Sequence, residues 1–215
     1  MEIRFVILFL FFGSAILDLI YIYKEIPKSR FFSKTLLMPL LIVFYILSVD
    51  KPNLLLLFAL IFSFFGDLFL LFENKKLTFF LGIISFIITH FLYLILFTIT
   101  SKYFKGAPFY IYLFLIPYII YGVSFYNHLK PQIERFNKII LFYILIIILM
   151  SFSTLPRFFY VDFYKFLFPF IGSILFIVSD SLLSLRKFKK TIKESSISIM
   201  LTYILAQFLI VLGFI

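Results

Sequence analysis

The sequence predicts an all-α protein, a polytopic integral membrane bundle of about eight transmembrane helices. Three observations carry this reading. Of the 215 residues, 64% are hydrophobic and 14% charged, whereas a soluble domain is close to half apolar and a quarter charged. Mean hydropathy is +1.15, too apolar for one soluble core, so lipid must be the solvent for much of the surface. Finally, the apolar residues form continuous runs of about 20, long enough to cross the hydrocarbon. Barrel strands share the Phe and Ile richness but are much shorter.

Charged clusters and prolines delimit the spans in order. The first, 5–23, reads as a retained helix: Met1–Arg4 is weakly basic, and no small-residue cleavage site follows Tyr21-Ile22-Tyr23-Lys24. The second, 34–49, has Lys34 at its mouth. The third, 53–72, and fourth, 77–100, are joined by the short segment around Glu73–Lys76 and are antiparallel neighbours. The fifth to eighth lie at 108–126, 138–156, 163–185 and 195–215. Pro39, Pro117 and Pro169 are expected to kink their helices. The longest loop is about a dozen residues, so one domain spans 1–215, without a clear internal repeat.

Lys and Arg set the orientation. The loops after odd-numbered spans carry 14 of them and the other side 6, which places the first set in the cytoplasm and both termini outside it. The net charge of +10 would point to nucleic acid in a soluble protein; here it reflects loop placement, and no nucleic-acid partner is expected. Trp is absent, so Tyr21, Tyr23, Tyr103, Tyr160 and Tyr164 must serve as interfacial aromatics. Cys is absent too, which excludes disulfides and thiolate metal sites. No His-rich spacing suggests a metal.

Ionisable side chains inside a span are costly and mark function by default. Asp18, Asp67, His90 and Asp180 stand out. Asp18, Asp67 and Asp180 each lie six residues before a charged residue, Lys24, Glu73 and Arg186. That puts all three roughly 9 Å inside the same boundary, in the cytoplasmic half of the bilayer. Ser63 lies one turn before Asp67. Gly82, Phe86, His90 and Tyr93 share a stripe of the fourth span; Tyr203 and Gln207 share one of the eighth. Each also has a plainer reading: Asp18 and Lys34 as interfacial anchors, His90, Tyr203 and Gln207 as interhelical hydrogen bonders, Ser181 as a small packing residue.

These residues carry a resemblance. Phe62-Ser63-Phe64-Phe65-Gly66-Asp67 with Gly82 and His90-Phe91-Leu92-Tyr93, Gly172 to Leu183 around Ser179-Asp180, and Thr202-Tyr203-Ile204-Leu205-Ala206-Gln207 resemble the YhhN-like family of membrane proteins, which includes the lysoplasmalogenases. Lys34, Tyr143 and Met150 extend the match; Thr35 stands where the family often has Pro. The resemblance implies an eight-helix bundle that hydrolyses the vinyl ether of a lysoplasmalogen to a fatty aldehyde and glycerophosphoethanolamine or glycerophosphocholine. It also implies Asp67 and Asp180 as the catalytic pair.

The chemistry suits carboxyl groups without a cofactor. A vinyl ether resists base and hydrolyses when an acid protonates its β-carbon. Burial favours the protonated form of a carboxyl, and a second carboxylate nearby reinforces this in one member of a pair. One group then gives the proton while the other steadies the cation and activates water; which does which stays open. His90, Tyr93, Tyr203, Gln207, Ser63 and Asp18 would support them. Lys34 would meet the phosphate of the lysophospholipid substrate, and the tail would lie in an apolar chamber deeper in the bundle. The rival readings are a proton-coupled transporter or lipid carrier and an intramembrane aspartyl peptidase, which would need Gly-x-Gly-Asp where this chain has Phe64-Phe65-Gly66-Asp67. Helical spans in a bacterium imply the inner membrane.

Overall fold

The computed structural model describes residues 2–72, 75–133, 136–189 and 195–215. Glu73, Arg135, Lys190 and Lys193, which enter the span boundaries or the charge count, lie outside them. Eight α-helices follow in order: α1 (Glu2–Tyr23), α2 (Pro27–Ser48), α3 (Leu54–Leu70), α4 (Lys76–Thr100), α5 (Leu115–Leu129), α6 (Asn137–Phe152), α7 (Phe163–Ser184) and α8 (Ser195–Leu212). Among the described residues, six helical stretches are long and apolar enough to cross a membrane; Leu54–Leu70 and Ser196–Leu212 are shorter apolar helices. Seventeen residues, as in α3, lie at the short end of what can span. Helices satisfy their backbone groups internally, as a hydrocarbon solvent demands. The half- to mostly exposed Phe9 and Ile16 on α1 and Ile116 and Ile120 on α5 suit that solvent. The chain is an integral membrane protein.

Local chemistry sets the ends. Asn53 caps α3, its side chain accepting from the Leu55 amide at 2.9 Å, which satisfies one orphan donor of the first turn. α2 starts at Pro27, earlier than the expected 34. Proline's fixed φ favours the first helical position, where its missing N–H costs nothing. Lys28, Arg30 and Lys34 therefore sit on a helix. Pro39 and Pro169 lie inside α2 and α7, but Pro117 falls in the first turn of α5, after the 3-10 segment Phe109–Phe114. There it marks a start, where the sequence suggested a kink.

The chain divides into two compact units, residues 1–93 with Ile215, and residues 94–214. In the first, α1 packs on α2 and α2 on α3. The part of α4 in this unit comes close to α3 at Phe86 because Gly66 carries no side chain: a Cβ there would lie 2.7 Å from the Phe86 ring. In the second unit, α7 packs along α8, α5 on α6 and α6 on α7. Gly172 makes the first of these contacts possible, since a Cβ would lie 2.8 Å from the Ala206 carbonyl oxygen.

Candidate functional site

In the first unit the polar residues of α1, α2 and α3 gather. Asp18 is fully buried. Its Oδ1 accepts from Ser33 Oγ at 3.0 Å, Arg30 Nε lies 3.7 Å away, and its Oδ2 has no hydrogen-bond partner. One residue beyond Ser33, Lys34 turns inward: its Nζ is 3.2 Å from Asp67 Oδ1, and both side chains are buried. Arg30 and Lys34 are four apart, hence on one face of α2, which aligns the two ion pairs. The charges of Arg30, Lys34 and Asp67 all act on Asp18. A buried, paired charge in an apolar medium costs several kcal/mol to desolvate, so the cluster is weak evidence of stabilisation and marks a candidate site. Ser63 donates to Thr89 Oγ1 across to α4 at 3.3 Å, and Thr89 donates to the Ala59 carbonyl at 3.2 Å. His90 and Tyr93 are fully buried on α4.

The second unit holds the other carboxyl. Asp180 on α7 is buried, and its Oδ2 accepts from Tyr143 Oη of α6 at 2.5 Å. Beside it, the Ser181 and Tyr121 hydroxyls hydrogen-bond, tying α7 to α5. Ser179 donates to the Ile199 carbonyl of α8 at 3.0 Å. Tyr203 and Gln207 are both buried one turn apart on α8; Gln207 Nε2 lies 3.5 Å from Tyr203 Oη, and the Tyr203 ring stands edge-on to Phe176 at 5.5 Å.

The structure thus brings Asp18, Lys34 and Asp67 together in one unit, along with Ser63, His90 and Tyr93 on α3 and α4, and places Asp180, Tyr203 and Gln207 in the other. Asp18, Asp67 and Asp180 stand five, three and four residues before Tyr23, Leu70 and Ser184, where their helices end. Arg30 and Ser33 lie ahead of the second span as the sequence delimits it, so nothing there marks them as site residues; their spacing to Lys34 is the available signal. Tyr143 enters the sequence reading only through the resemblance, Ser181 only as a packing residue and Arg157 only as a loop charge. Arg157 is buried, donates to Thr100 Oγ1 and to the Lys165 carbonyl at 2.7 Å, and lies 5.5 and 4.5 Å from the Phe97 and Phe214 ring centroids. Flat aromatic faces on a guanidinium provide cation–π attraction that an ammonium geometry would not match.

Neither the curated proteins nor the solved structures give a significant match to the chain. The family model described as the YhhN family matches residues 29–214, which takes in Lys34, Asp67, His90, Asp180 and Gln207. With that match over most of its length, the chain belongs to the YhhN family.

Proposed function

We propose that the protein is a membrane-embedded hydrolase that cleaves the vinyl ether of a lysoplasmalogen, a phospholipid with a single alkenyl chain. The observation that carries this is the buried polar set itself: two motif aspartates, one ion-paired to Lys34 and one held by Tyr143, in a chain of the family associated with lysoplasmalogenase activity. The partners suggest roles. Asp67, paired with an ammonium, serves as the carboxylate that steadies positive charge and takes a proton from water. Asp180 is the acid, oriented by the Tyr143 hydroxyl.

The steps balance. The acid gives its proton to the β-carbon of the vinyl ether, leaving an oxocarbenium ion. Water adds to the carbon bearing the ether oxygen and loses a proton to the base. The resulting hemiacetal gives up its hydroxyl proton as its bond to the glycerol oxygen breaks and that oxygen takes up a proton, and the proton held by the base passes through solvent to restore the acid. One water is consumed, and a fatty aldehyde and a glycerophospho-alcohol are released. In a low-dielectric site a fixed carboxylate near the developing cation attracts it more strongly than it would in water and so contributes much of the stabilisation. On this reading the protein sits in a bacterial inner membrane with both termini outside the cytoplasm, and the substrate enters from the lipid. Turnover in D2O tests the chemistry: one deuterium is expected on the carbon next to the aldehyde group. Aldehyde without that deuterium would mean that the β-carbon is not protonated by solvent-derived acid, and would rule the mechanism out.

A further inference from the structure

Within the second unit a cavity of about 450 Å³ runs along α5 and α7. Phe114 lines it from the 3-10 segment before α5, Pro117 and Tyr121 from α5, and Phe170, Ile174 and Val178 from α7. Its walls offer no free hydroxyl. Tyr118 bonds Ser151 at 3.0 Å and Tyr121 bonds Ser181, so both tyrosines present only their rings. Phe114, Ile174 and Val178 remain more than a third exposed, so the cavity is open along one side to the surroundings of the bundle.

We propose that this cavity seats the single hydrocarbon chain of a lysophospholipid, entering sideways from the bilayer. The proposal rests on the vinyl-ether reading and deepens it by locating the tail. Size selects one chain. A methylene takes roughly the ~30 Å³ of a water molecule, so the cavity holds on the order of fifteen of them and not two chains. The cavity follows α7 from Phe170 to Val178, eight residues and roughly 12 Å of helix. Charge agrees as well. Of the lining residues, Val178 comes nearest to Asp180 along the chain, and Tyr121 bonds Ser181, the residue after Asp180. Beyond Asp180, at roughly 9 Å along the axis, the chain continues into Arg186 and Lys187. A lipid lying in the cavity would place its phosphate toward these cations, its ether linkage near Asp180 and its tail along α7, the order in which a bilayer arranges the same groups.

The absence of Trp makes this directly measurable without turnover. Phe114→Trp and Phe170→Trp each put one emitter in the cavity; Phe142→Trp puts one on the exposed side of α6. The probe is an ester-linked lysophospholipid brominated on its chain, added to each variant in vesicles of unlabelled two-chain lipid. Quenching of both cavity emitters should saturate, reaching half its maximum at a several-fold lower mole fraction than for Phe142→Trp. A brominated two-chain lipid, which the cavity does not seat, should give no saturable quenching at any of the three. Identical, unsaturated quenching of all three by the lysophospholipid would overturn the proposal. Two folded cavity emitters guard against one failing to fold. Saturable quenching in a protein that releases no aldehyde would instead sink the hydrolase reading and leave the tail site standing.

Discussion

Lys34 and Asp67 show what a single pair costs and contributes. Breaking a buried ion pair strands a charge and destabilises by about 3–5 kcal/mol, whereas replacing both partners by neutral groups is often tolerated. Lys34→Met should therefore lower the thermal midpoint in detergent markedly. Adding Asp67→Asn should restore most of the stability but no activity; a double variant as unstable as the single one would contradict the pairing. Arg157 makes a second residue-scale case. Its fork donates to two elements at once while lying near two rings, so Arg157→Lys should be destabilising by about 1–2 kcal/mol despite keeping the charge. A midpoint equal to wild type would show that charge alone suffices there. The aspartates were legible because ionisable groups amid apolar runs are conspicuous. Arg30, Ser33 and Arg157 were not, because charge near a span end looks the same whether a side chain points to water or into the helices.

The elements were more legible than the residues. Eight continuous apolar runs became eight helices, with ends near the expected positions, since a backbone in hydrocarbon has few alternatives. The departures have local causes: Pro27 starts α2 early, and Pro117 opens α5 within its first turn. Glycines decide how closely helices approach. At Gly172 the obstacle to a Cβ is backbone, the Ala206 carbonyl, whereas at Gly66 it is the outer edge of the Phe86 ring. A ring can turn aside and a helix cannot. Gly172→Ala should thus cost about 1–3 kcal/mol as overpacking and more than Gly66→Ala, measured as midpoints on the same preparation. The reverse order would mean that α7 and α8 separate more readily than Phe86 moves.

For the whole molecule, charge asymmetry predicts topology. The chain has no Cys, so single cysteines report cleanly. Lys51→Cys should react with an impermeant maleimide added outside intact cells, and Lys130→Cys only after lysis; both positions are exposed. Labelling in the opposite pattern would invert the orientation. What the sequence could not supply at this scale is the rotation of each helix: depth along the helices follows from residue spacing, but facing depends on packing among many similar apolar surfaces. Hydrolysis of a vinyl ether by Asp67 and Asp180 is tested by aldehyde release from a vinyl-ether lysophospholipid by purified wild type, Asp67→Asn and Asp180→Asn, each confirmed folded. Wild type should release aldehyde, and each variant should lose at least about a hundredfold, the scale of acid–base catalysis. Release that persists in either variant would remove that aspartate from the chemistry, and no release by wild type across headgroups and pH would show that the protein is not a vinyl-ether hydrolase.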